Sequence, residues 1–131
     1  MSEGVQTYDP IEIVTEFIPP SQNACYRNLN VPGLKGRAKT QAYKTWLNAF
    51  GWDAKAQVGS KTIQGPYSIT IVIDRRSRHR LSDIMNREKP VSDALQSLGI
   101  IKDDNLCERG TVCWGDLATK GMRIEIWPVQ V

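Results

Sequence analysis

The sequence predicts an α/β fold of the α+β kind, a single domain in which a mixed β-sheet packs against two main helices. Three observations lead there. Residues 67–74 (YSITIVID) alternate, with Tyr67, Ile69, Ile71 and Ile73 on one side and Ser68, Thr70, Val72 and Asp74 on the other, the period-2 signature of a strand with one apolar face. At 100° per residue, Ile84, Val91, Leu95 and Leu98 form one narrow stripe, as in an amphipathic helix. Finally, strand-like and helix-like segments alternate along the chain, the order that builds a sheet covered by helices.

The elements follow in order. Residues 1–8 are polar and expected to be loose. A first strand is predicted over 12–18 (EIVTEFI), closed by Pro19-Pro20. The stretch PPSQNACYRNLNVPGLKG reads as a long loop, rich in turn formers. A helix is predicted from Arg37 to about Gln57, with Ala42, Trp46, Ala49 and Phe50 at helical spacing and Tyr43 and Leu47 widening the stripe. Gly51 offers an early end. Arg37, Lys39 and Lys44 then fall early on that helix, where they could reach a phosphate, although a solvated face accounts for most of them. After the 67–74 strand, the second helix should begin near Asn86 or Arg87, because Pro90 is tolerated only in a first turn, and end at Gly99. Asn86, Lys89, Asp93 and Gln96 lie on its polar side. Residues 106–114 and 122–127 read as closing strands joined by the glycine-flanked loop GDLATKG as a hairpin.

Bulk properties narrow the class. A chain of 131 residues can bury a core without staples. Hydrophobic content of 40% with 24% charged residues fits a globular protein, not a disordered one. The three cysteines, Cys25, Cys107 and Cys113, are odd in number and irregular in spacing, so reduced thiols are expected. With a single histidine, a structural zinc site is not expected. Neither a signal peptide nor a membrane-length apolar run is visible, which implies a cytoplasmic protein.

The chemistry concentrates between Arg75 and Asp104. Arg75, Arg76, Arg78 and Arg80 crowd one short window with His79. Arginine grips phosphate with a planar fork, so this loop suits a DNA backbone, although a solvated surface loop has the same composition. Asp83 lies before the second helix, and Asp103 and Asp104 lie after it. Phosphodiester hydrolysis needs an activated water and charge stabilisation; carboxylates holding magnesium supply both. Plainer roles exist: Ser82 or Asp83 as a helix cap, Asp-Asp-Asn as a turn, and Lys89 as the i,i+4 partner of Asp93.

Longer motifs accompany these residues: IPPSQN at 18–23, RAKTQAYKTW at 37–46, SDIMNREKPVSDAL at 82–95 and GIIKDD at 99–104. On them the chain resembles the RusA family of Holliday junction resolvases, endonucleases of bacteria and their phages, over roughly residues 18–128. The resemblance implies a homodimeric, magnesium-dependent (or manganese-dependent) endonuclease cutting four-way and other branched DNA in recombination and repair. It would act in the cytoplasm of a bacterial or phage-infected cell. The family's first acidic position falls on Asp83, its asparagine on Asn86, its lysine on Lys89, and the second residue of its closing acidic pair on Asp104. Its second acidic position falls on Met85, whose soft thioether does not bind magnesium. The resulting expectation is catalysis by Asp83, Lys89 and Asp104, with metal on Asp83 and Asp104 and further ligands among Asp103, Asp93 and Asn86. DNA is expected on Arg75, Arg76, Arg78, Arg80 and Arg87. Because of Met85, the competing expectation is a structure-selective DNA-binding protein that cuts weakly or not at all.

Overall fold

In the computed structural model, the described residues are 4–29, 32, 36–79 and 83–129. The main sheet has four strands: β2 (Ile11–Thr15), β6 (Tyr67–Asp74), β7 (Cys107–Gly115) and β8 (Met122–Pro128), in the order β2-β8-β6-β7. β8 runs antiparallel to both β2 and β6, and β7 runs parallel to β6. Two small pairs flank it, β1 (Val5–Gln6) with β5 (Lys61–Thr62), and β3 (Tyr26–Asn28) with β4 (Arg37–Lys39). The helices are α1 (Gln41–Val58) and α2 (Glu88–Ser97). The mixed α+β class predicted from the sequence is the class observed.

One face of the sheet holds the core. Ile11 and Ile13 of β2, Tyr67, Ile69, Ile71 and Ile73 of β6, and Met122, Ile124 and Ile126 of β8 are buried there with Tyr43, Trp46 and Phe50 of α1 and Val91 and Leu95 of α2. Each such side chain taken out of water contributes about 1.5–3 kcal/mol. α1 docks along the edge strand β2. Gln57 donates to the Val14 carbonyl and accepts from its N–H, Thr15 Oγ1 donates to Asp53, and Trp46 Nε1 donates to the Phe17 carbonyl at 3.0 Å. The Val14 backbone groups on this edge are therefore satisfied within the chain.

Several expectations are corrected. The final two strands do not form a hairpin: they lie on opposite sides of β6. Val72 and Asp74 of β6 are buried along with the apolar set, and β6 is a central strand with a neighbour on each edge. β7 reaches one edge by the long crossover through α2, as a parallel pair requires, which leaves the other edge to β8. The first strand stops at Thr15, short of residue 18. α1 starts at Gln41, not Arg37, because Thr40 caps it, its hydroxyl accepting from the Tyr43 N–H. Arg37 and Lys39 therefore lie on β4. The long loop contains the β3–β4 hairpin, and the N-terminal stretch contains β1. α1 also runs through Gly51, since Ala54 and Val58 continue its buried stripe while Ala42 is exposed. The second helix behaves as expected, with Pro90 in its first turn and Gly99 at positive φ just past its end.

Two glycines give opposite predictions. At Gly121 (φ +123°) an added Cβ would stand 2.1 Å from the Thr15 carbonyl oxygen, where β8 begins beside the end of β2. Gly121→Ala should destabilise by about 1–3 kcal/mol. At Gly51 the nearest atom would be Leu98 Cδ2 at an ordinary 3.7 Å, so Gly51→Ala should stabilise by roughly 0.5–1 kcal/mol. Urea unfolding of both variants checks the two signs.

Candidate active site

The site is assembled by the first turn of α2 and the turn that follows the helix. Lys89, the second residue of α2, reaches across to Asp104, with Nζ 2.7 Å from Oδ2. The same ammonium lies 3.1 Å from Asp93 Oδ1, one helical turn along. Asp104 is held in place on both sides. The Asp103 carboxylate accepts from the Asn105 N–H and caps the short turn Asp104–Leu106, and the Asp104 N–H donates to Gln96 Oε1. Two carboxylates distant in the chain thus converge on one lysine.

The electrostatics follow from those contacts. Hydrogen bonds to Asp104 and Asp93 raise the Lys89 pKa well above the ordinary lysine range. Lys89 therefore serves as a fixed cation and not as a proton acceptor at neutral pH. The same hydrogen bond lowers the Asp104 pKa, keeping this carboxylate ionised and available as a hard ligand. The pair opens onto a cleft of about 490 Å³ lined by Tyr26, Lys39, Tyr43, Leu47, Lys89, Asp93, Gln96, Ser97 and Asp104.

The other expected residues are placed as follows. Asp83 is exposed and makes no capping hydrogen bond, so the capping alternative does not describe it. It is not among the residues lining the cleft, nor is Asn86. Met85, beside them on the Ile84–Arg87 turn, is 75% exposed. Arg87, expected to face DNA, is turned inward: it is 9% exposed, and its Nη1 donates to the Pro19 carbonyl at 2.6 Å. This tie fastens the entry to α2 onto the segment after β2. Arg80, and Ser82 of the capping alternative, lie outside the described residues.

The basic cluster is also displaced from where adjacency in sequence suggests. Arg75 follows the last residue of β6, whereas Asp104 lies just ahead of Cys107, the partner of Tyr67 at the first residue of β6. The two groups sit at opposite ends of that strand, separated by about 23 Å at ~3.3 Å per residue. There the crowded guanidiniums are offset by carboxylates. Arg76 binds the buried Asp74 through Nε and Nη2 and also donates to the Leu117 carbonyl. Arg75 pairs with Asp116 at 3.3 Å. Arg78 is exposed and, among the described residues, unpaired.

Asp74 gives a pH prediction. Its hydrogen bonds to Arg76 lower its pKa below the ordinary carboxylate value. A depressed folded-state pKa stabilises the fold above the unfolded-state value, and that contribution is lost as pH falls through the depressed one. Acid titration followed by circular dichroism should show stability falling below the ordinary aspartate range, and Asp74→Asn should flatten that part of the curve.

A family model for the endodeoxyribonuclease RusA matches residues 16–127. The protein belongs to the RusA family. Comparison with individual characterised proteins gives no match. Membership in the RusA family makes the chain one of a family of endodeoxyribonucleases. Set on the RusA pattern described above, Lys89 and Asp104 are two motif positions whose side chains are in direct contact. Sequence reasoning names Arg37 and Lys39 as cations that could reach a phosphate but places them on a helix, and so does not put Lys39 in the cleft. Their alternation on a short strand facing Tyr26 is the available signal.

The donor chemistry can be tested against magnesium. Asp104 and Asp93 offer hard carboxylate oxygens at one point, and Asp83 offers an uncapped carboxylate nearby in sequence. Among the described residues, no three His, Cys, Asp or Glu side chains cluster as a metal-holding group. A hard cation held by the Asp104 and Asp93 carboxylates would take the rest of its shell from water.

Proposed function

We propose that this RusA-family chain is a magnesium-dependent endonuclease that cleaves four-way and other branched DNA junctions in recombination and repair, acting as a homodimer. The observation that carries the reading is the contact between Lys89 and Asp104, two motif positions brought to 2.7 Å from either end of α2. Asp104 and Asp93 would hold the ion, with water filling the rest of its shell. Bound magnesium supplies charge neutralisation at the phosphate and a water made acidic enough to attack. Lys89, fixed as a cation, stabilises the charge that builds on the phosphate oxygens. The Asp103 turn and Gln96 hold Asp104 in position. A two-fold dimer places two such sites on a two-fold symmetric junction.

A second reading has its own observation. Met85 stands exposed at the family's second acidic position, which supports a protein that recognises junctions and cuts weakly. One experiment separates the two. Purified protein is incubated with a labelled synthetic four-way junction and with linear duplex, in magnesium, in manganese and in chelator. Paired nicks in the junction with either metal support the nuclease; binding without nicks supports the alternative. If Met85→Asp then gains cutting, the lost carboxylate is the cause.

A further inference from the structure

A phosphodiester cannot lie beside the Lys89 group on that lysine's charge alone. One ammonium there already faces two carboxylates, Asp93 and Asp104. The Arg75–Arg78 cluster stands a full strand length away. Besides the magnesium of the nuclease reading, protein cations on the rim of the cleft would offset its negative charge where DNA enters. The β3–β4 hairpin offers two. Arg37 and Lys39 are alternate residues of β4, so they project from the same face of the strand, and both are exposed. Lys39 lines the same cleft as Lys89, Asp93 and Asp104. Arg37 lines an adjoining cavity of about 170 Å³ with Lys89, Asp93, Tyr26 and Gln22.

Strands β3 and β4 are also tied to the rest of the fold. The Arg37 guanidinium lies 4.8 Å from the centre of the Tyr26 ring, a cation–π contact that orients its planar fork. Tyr26 pairs with Lys39 across the hairpin and meets the Tyr43 ring of α1 edge-on, with centroids 5.4 Å apart. At the start of α1, Thr40 ties the hairpin down by donating through its hydroxyl to the Ala24 carbonyl and through its N–H to the Cys25 carbonyl. Among the described residues, neither Arg37 nor Lys39 has an ion-pair partner.

We infer that the β3–β4 hairpin is a second wall of the catalytic cleft, on which Lys39 and Arg37 bind backbone phosphates of the DNA strand lying against Lys89 and Asp104. This inference rests on the nuclease reading for the identity of the ligand. The Arg75–Arg78 turn, at the other end of β6, is then free to meet a different segment of the junction.

The test is equilibrium binding of a labelled four-way junction in chelator, so that no cleavage intervenes, between about 0.05 and 0.2 M salt. Removing one cation that neutralises a phosphate should make the log–log salt slope shallower by about 0.9 and weaken binding roughly eightfold at ~0.1 M salt. K39A and R37A should each show that change and K39R should retain the wild-type slope. K55A, on the last turn of α1 away from the cleft, should bind as wild type. Variants that bind with the unchanged wild-type slope overturn the inference while leaving the nuclease reading intact. A wild-type protein that binds junctions but never cuts overturns the nuclease reading alone, and one that binds no junction overturns both.

Discussion

Asp104→Asn is expected to abolish junction cleavage, by at least about 100-fold, the scale for removing one preorganised charge-stabilising group. The substitution is nearly isosteric. Its amide oxygen can still accept from Lys89, and Lys89 keeps Asp93, 3.1 Å away, so the fold should be little affected. The pair is partly exposed, with side chains 46% and 31% accessible, and such pairs contribute roughly 0–1 kcal/mol to stability. What the asparagine cannot supply is a charged oxygen for a hard cation. Binding in chelator should be unchanged or tighter, because the cleft loses one negative charge next to the phosphate. The measurement is a cleavage time course in magnesium paired with junction binding in chelator. A variant that cuts at the wild-type rate would remove Asp104 from the mechanism.

Phe50→Ala should be the most damaging single truncation in α1, at about 3–5 kcal/mol. Phe50 is fully buried and stacks on Trp46 with ring centroids 4.9 Å apart. Trp46 in turn holds the Phe17 carbonyl. Removing the ring leaves a cavity where α1 meets β2, and it loosens the segment after β2 that Arg87 also grips. A loss of this size is a large part of the stability of an ordinary domain. Chemical unfolding should show a lower midpoint with little change in slope. A loss under about 1 kcal/mol would mean that α1 is not packed as described.

The elements legible in the sequence rest on local physics. Tyr67–Asp74 is legible to the residue because alternation on a pleated strand needs no partner to be visible. α2 is legible because Pro90, Gly99 and its apolar stripe agree. The misreadings concern features that need distant partners. β8 pairs on the edge of β6 that the crossover to β7 leaves open, and the β3–β4 hairpin exists because Tyr26 packs on Tyr43 and Thr40 is bonded back to Ala24. Arg87 reads as a surface cation in the sequence because nothing local reveals the Pro19 carbonyl that receives it.

By itself, the sequence determined the α+β class, the family motifs and the residue types able to perform phosphodiester chemistry, since these depend on local periodicity and side-chain identity. Only the tertiary structure decided which of those residues meet. It placed Asp104 on Lys89 and carried the arginine turn to the far end of β6. It also set Lys39 in the cleft. The physical reason is that a parallel crossover returns the chain to the start of the neighbouring strand, so the turns at its two ends are separated by a strand length, and residues fifteen apart, Lys89 and Asp104, are joined.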